Sequence, residues 1–141
     1  MKNVSAVLLV IALFLLASCS KKPVSHGTWS MKGVNYNVTS CGFVDDVMYA
    51  TDGSPDSLFI VFANGVPPTA TGDFHMQFTN PGPGEASVQV YYQGQYYLPS
   101  NSTETIHATV SNGKVSATGS NIDVAVPAQP ETGVVVFNIS Q

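Results

Sequence analysis

The chain contains no arginine, and its five lysines face nine aspartates and glutamates, a formal net charge of −4 over 141 residues. Binding to nucleic acid needs a basic stripe that neutralises phosphates, and the sequence shows no such stripe, so nucleic acid is not expected as a partner. Cysteine is equally scarce, with Cys19 and Cys41 alone. From Gly27 onward no stretch sustains a 3.6-residue hydrophobic period, which removes helical bundles from consideration.

The usual catalytic constellations are missing too. The chain has no G-x-S-x-G, and Cys41 has no histidine near it in sequence. Asp45-Asp46 is the one adjacent acid pair, and neighbours in a strand point to opposite faces. Such a pair cannot by itself supply the converging carboxyls of a glycosidase, so it reads as a solvated strand edge or turn. His26, His75 and His107 lie far apart, without zinc-site spacing. Asp73 and His75 fall on one strand face, which is two ligands and not a site. "TDGSPD" (residues 51–56) has the composition of a turn and lacks the alternating carboxylates of a calcium loop, so Asp52 and Asp56 read as turn residues. No metal, no cofactor and no enzymatic activity are expected. A hydrolase site assembled from scattered residues stays open as the lesser alternative.

What is present begins with a leader. Lys2 precedes the apolar run "VSAVLLVIALFLLA" (residues 4–17), at 14 residues too short to span a bilayer, which takes about 18 or more. The next feature is Leu16-Ala17-Ser18-Cys19, which resembles the lipobox of bacterial lipoproteins. That resemblance implies cleavage before Cys19, acylation of Cys19 and attachment to a bacterial envelope membrane, facing the periplasm or the exterior. Residues 1–18 are then a signal peptide, residues 19–26 a lipidated polar tether and residues 27–141 a single domain. Several acyl chains on one residue anchor stably where one alone binds marginally. Removing Lys2 with the leader takes the net charge to −5 and leaves 123 of the 141 residues, enough for one core. With Cys19 acylated, Cys41 has no partner in the chain and reads as a buried structural thiol.

The body alternates polar and apolar residues with period two, broken by Gly, Pro and Asn about every ten residues, the pattern of an all-β antiparallel sandwich or flattened up-and-down barrel of about nine short strands. "IHATVSNGKVSATG" (residues 106–119) turns at Asn112-Gly113, a preferred type I′ pair. That turn sets Val110 against Val115, Ala108 against Ala117 and Ile106 against Gly119. "TWSMKGVNYNV" (residues 28–38) turns at Lys32-Gly33 and pairs Trp29 with Tyr36 and Met31 with Val34, rings inward. This W-x-x-x-G-x-x-Y opening, with the late V-S-N-G-K-V hairpin, resembles a loose group of small secreted all-β bacterial lipoproteins of unknown function. Further strands are expected over residues 46–52, 57–63, 73–80 and 133–140, with Phe74, Met76 and Phe78 on one face of the third. "SLFIVFA" (residues 57–63) and "VVVF" (residues 134–137) are apolar on both faces. Burial of both faces is the ordinary reading, and a patch covered by a partner the rival one.

"VQVYYQGQYYLP" (residues 88–99) is symmetric about Gln93-Gly94, which sets Tyr91 against Tyr96, Val90 against Tyr97 and Tyr92 against Gln95. Val88, Val90, Tyr92 and Tyr97 form a core face. Gln89, Tyr91, Tyr96 and Leu98 form an outer one. Tyr91 and Tyr96, with Gln89 as a hydrogen-bonding neighbour, are the candidate ligand-binding residues, a flat surface suited to a glycan or an envelope protein. The plainer reading is a cross-strand aromatic pair that adds about 0.2–1 kcal/mol to the hairpin. Asp56-Ser57-Leu58 resembles the D-[ST]-aliphatic pattern at which some bacteria O-glycosylate exported proteins, which marks Ser57. The functional expectation is a membrane-anchored, non-enzymatic binding or interaction module, with a structural role in an envelope assembly as the rival.

Overall fold

The computed structural model describes residues 24–141, so the leader, the lipobox and Cys19 lie outside the described residues. Eleven strands follow one another: β1 Gly27–Met31, β2 Val34–Asn37, β3 Ser40–Val44, β4 Val47–Thr51, β5 Ser57–Phe62, β6 Gly72–Met76, β7 Glu85–Tyr92, β8 Gln95–Pro99, β9 Thr105–Ser111, β10 Lys114–Ala125 and β11 Thr132–Ser140. The fold is all β, as the alternation implies.

Local turn chemistry sets most of the registers. Asn112 and Gly113 both have positive φ (51° and 73°), and Val115 pairs with Val110 and Ala117 with Ala108. Trp29 pairs with Tyr36 and Met31 with Val34 around Lys32-Gly33. The rings of Trp29 and Tyr36 stack with centroids 4.0 Å apart, both buried. Val34, at the mouth of that hairpin, is exposed instead of paired inside with Met31. The strand not foreseen is β3, whose Ser, Cys and Gly dilute the β signal. It joins β4 through Asp45-Asp46, both at positive φ (47° and 63°), so this acid pair is a two-residue turn.

Strand pairing runs β2-β1-β11-β10-β9-β6-β7-β5-β4-β3, with β8 bridging β7 and β10. The two ends of that path, β2 and β3, are consecutive in sequence. Val38 and Thr39 carry the chain from one wall to the other: the Val38 N–H donates to Gly27 O and the Thr39 N–H to Thr51 O. The result is a flattened barrel of two walls, one of β2, β1, β11, β10 and β9, the other of β7, β5, β4 and β3. Its order departs from pure up-and-down at β6, which lies parallel to β7, because the connection over residues 77–84 brings the chain back to start β7 on the same heading as β6. A bulge between Gly119 and Ile122 bends β10, so its first half pairs with β9 and its end, Val124–Ala125, with β8. Gly119 also makes room for Phe137, whose ring would lie 2.5 Å from a Cβ at that position.

Between the walls sits one core, to which Trp29, Met31, Phe137 and Ile139 contribute from the first wall and Met48, Leu58, Ile60, Phe62, Val88 and Val90 from the second. Trp29 Nε1 has no hydrogen-bond partner among the described residues. Cys41 packs against the core half-buried rather than fully buried, and loss of solvent pushes its thiol up to about 11. β1 begins at Gly27, and His26 just before it is already tied to the sheet: its N–H donates to Val38 O, and its O accepts from the Ser140 N–H.

Candidate functional site

The tyrosine hairpin has the expected register, Tyr91 to Tyr96, Val90 to Tyr97 and Tyr92 to Gln95. Gln93 takes the left-handed conformation (φ 49°) that a Gln resists, and Asp56 offsets the cost: its Oδ1 accepts the Gln93 N–H at 2.8 Å. Asp56 Oδ2 accepts the Tyr36 hydroxyl proton at 2.7 Å. Both oxygens are thus committed to protein donors, and Asp52 caps its own loop by accepting from the Ser54 N–H. These bonds explain why the "TDGSPD" carboxylates act as turn and clamp groups. Val88, Val90, Tyr92 and Tyr97 are all buried, Gln89, Tyr91 and Leu98 half-buried, and Tyr96 exposed.

Tyr91 and Tyr96 do not make a flat surface. Their rings tilt by 57° with centroids 5.8 Å apart. The ring parallel to Tyr96 is Phe59, at 9° and 6.4 Å. These two residues stand on β8 and β5, with β7 between them, and two strand spacings come to about 9–10 Å. The rings therefore lean toward each other across β7, on the same outward face as Gln89, the register partner of Phe59.

Tyr49, the other partner of Phe59, leans the opposite way. Its register neighbour on β3 is Gly42, and the missing side chain lets the ring lie over that backbone, 3.4 Å from where a Cβ would stand. The Tyr49 hydroxyl lies 3.1 Å from Ser40 Oγ. With Tyr49 drawn to one side and Phe59 and Tyr96 to the other, an open groove of about 420 Å³ remains, floored by Val47, Val61 and Gln89 and rimmed by Val44 and Asp45. That volume falls within the range of small-ligand sites, about 300–1,000 Å³. Ser57 sits at the edge of the groove, half-buried, its hydroxyl 3.4 Å from Pro55 O.

Phe59 and Tyr49 escape a reading of the chain alone, although "SLFIVFA" holds the signal. Its inward residues Leu58, Ile60 and Phe62 are fully buried, so the aromatic at 59 has to face outward. The double-sided character of β11 resolves differently: Val134 and Val136 stand exposed on the outer surface.

The other titratable groups do not form a second centre of this kind. Asp73 pairs across β6 and β9 with His107 (Oδ1 to Nδ1, 2.6 Å), both exposed, rather than acting with His75. β6 ends at Met76, so Phe78 lies beyond it, exposed, instead of sharing the face of Phe74 and Met76. Lys32, Tyr97 and Glu131 form a clasp over one end of the barrel. Glu131 accepts from both Lys32 and Tyr97, and hydrogen bonding to Lys32 first and Tyr97 second holds its carboxyl below the ordinary value. Burial first, then the bond to Glu131, raises the Tyr97 phenol. No group of three or more His, Cys, Asp or Glu converges as a metal site among the described residues. No helix among them is long and apolar enough to cross a membrane.

Compared with known protein families, curated proteins and solved structures, the chain matches none of them.

Proposed function

We propose that this protein is a non-enzymatic binding module, tethered to a bacterial envelope membrane through an acylated Cys19, that holds its ligand on the outer face of β4, β5, β7 and β8. The observation that carries the reading is the pair of parallel rings, Phe59 and Tyr96, beside the Gln89 amide on the wall of an open groove. A half-exposed and an exposed aromatic ring on one outward face, with one amide between them, offer apolar contact area and a hydrogen-bonding group that both donates and accepts. Tyr96 and Gln89, the candidates named from the chain, belong to this site. Tyr91 supports Tyr96 from the neighbouring strand and does not line the groove.

The full chain and its Phe59→Ala/Tyr96→Ala variant, immobilised side by side and exposed to a glycan array and to solubilised envelope proteins, test the site. A ligand held by the parent and lost from the variant supports it. Equal capture of every ligand by both would remove this face from consideration. For the anchor, Cys19→Ser is expected to move the protein from the membrane to the soluble fraction and to abolish labelling by a fatty-acid probe. Retention of both in the variant would overturn the lipid tether.

A further inference from the structure

The groove does not end at Gln89. A second depression of about 540 Å³ continues from it, sharing Val61 and Gln89 and bounded by Asn64, Thr79 and Asn80. The first half is aromatic and aliphatic, while the second presents amides and a hydroxyl. We propose that the whole cleft is a two-subsite site for a neutral oligosaccharide, one sugar stacking on Phe59 and Tyr96 and the next hydrogen-bonding to Gln89, Asn64 and Asn80. This rests on the binding-module reading and specifies its ligand.

Three observations select that chemistry. Charge is the first: Asp45 is the sole ionic residue on either half, and residues 24–141 hold two lysines against nine acids, a formal −7. Lys32 is engaged with Glu131, and Lys114 stands at the start of β10, away from the cleft. A phosphate, sulfate or uronate would meet repulsion and, among the described residues, no counter-charge. Backbone pairing is the second. The floor lies on β4, β5 and β7, each hydrogen-bonded on both edges, so an extended peptide finds no main-chain partners there. A sugar needs none, because its C–H face takes the rings and its hydroxyls take the amides.

The third is preorganisation of the polar half. The Asn64 N–H donates to Pro81 O at 3.0 Å, which ties the two bounding loops together. Glu85 Oε2 accepts the Gly82 N–H at 2.8 Å, and the Ser87 hydroxyl donates to Phe78 O at 3.2 Å, which fixes the segment over β7. Walls held in place before binding lose little entropy when a ligand arrives. An acyl chain would instead favour an enclosed, apolar cavity, and half of this cleft is polar and all of it open.

The test is titration calorimetry on the full chain with neutral glucan, mannan, xylan and chitin oligosaccharides, from monosaccharide to hexasaccharide, beside uronate and sialylated sugars. One neutral series is expected to bind with affinity rising about tenfold or more from monosaccharide to trisaccharide. Asn64→Ala/Asn80→Ala should flatten that rise while short sugars still bind. Phe59→Ala should abolish binding at every length, and Tyr96→Leu, which keeps the strand apolar, should weaken it at every length with the fold intact by circular dichroism. Affinity independent of length, or acidic sugars binding as well as neutral ones, would overturn the two-subsite proposal and leave the binding module standing. No binding across the panel would also overturn it, and the envelope-protein capture then decides the broader reading on its own.

Discussion

The two outer faces of this barrel cover the same core and are built from different chemistry. On β1, β9, β10 and β11 the outward residues are Thr28, Ser30, His107, Thr109, Ser116, Thr118 and Asn138, with Val134 and Val136 the only large apolar ones. On β4, β5, β7 and β8 the outward residues include Tyr49, Phe59, Tyr91 and Tyr96. Both walls pair through ordinary ladders and bury their inward residues equally well. The first wall therefore shows that this fold closes without an outward Phe, Tyr or Trp on a strand. The second wall carries aromatic groups that the first closes without, and the proposed binding site is built on them.

Breaking the core should affect the two faces together. Trp29→Ala removes the ring stacked on Tyr36 and is expected to cost about 3–5 kcal/mol, read as a fall in denaturant midpoint. A loss confined to ligand binding, with the midpoint unchanged, would mean the walls are not coupled through one core. Next in size is Asp56→Ala, which strips an acceptor from both Tyr36 and the Gln93 turn. It should cost about 1.5–3 kcal/mol, the worth of hydrogen bonds to a charged group. Gln93→Asn, a residue that tolerates positive φ, should recover part of that loss, whereas the Asn112-Gly113 turn on the other wall has no such dependence. A sharper separation comes from Phe59→Ala/Tyr96→Ala. This change should cost no more than about 1 kcal/mol per residue in stability while removing binding. Matching substitutions at Thr118 and Asn138 on the opposite face should leave binding unchanged.

The smallest expected effect is electrostatic. Glu131 is held below its ordinary value of 4.5, so the clasp contributes above that value, and its contribution is lost as pH falls through the lower folded value. Lys32 is raised, so its share persists below 10.5 and is lost only as pH rises through the higher folded value. Thermal melts against pH should therefore show an acid limb that is shallower in Glu131→Gln. Glu104, pushed up by burial, acts in the opposite direction, which makes the difference between the two proteins the quantity to read. Identical acid limbs would remove the clasp as a source of stability.

Much of the candidate site is legible along the chain, and its central feature is not. Gln93-Gly94 and Asn112-Gly113 announce their hairpins, and alternation then divides inward from outward residues, so Tyr96 and Gln89 stand out from the order of residues alone. The direction in which a ring leans is not written there. Register places Tyr96 flat beside Tyr91, its cross-strand partner, yet the ring crosses β7 toward Phe59, 37 residues away in sequence. The exposure of Phe78 is equally hidden, because it depends on where β6 stops and on the turn that follows.

Sequence by itself determined the class of fold, most of the inward and outward sets and the registers of the hairpins it announced, since each follows from a side-chain period of two and from turn residues a few positions apart. Tertiary structure alone decided the barrel's closure through Val38 and Thr39, the parallel placement of β6 and β7, and the cleft. Those depend on side chains from strands distant in sequence meeting in one place: Gly42 yields space to Tyr49, Phe59 and Tyr96 lean together, and Asn64 and Asn80 bound one depression on tied loops. A period within one strand holds no information about which strand lies beside it.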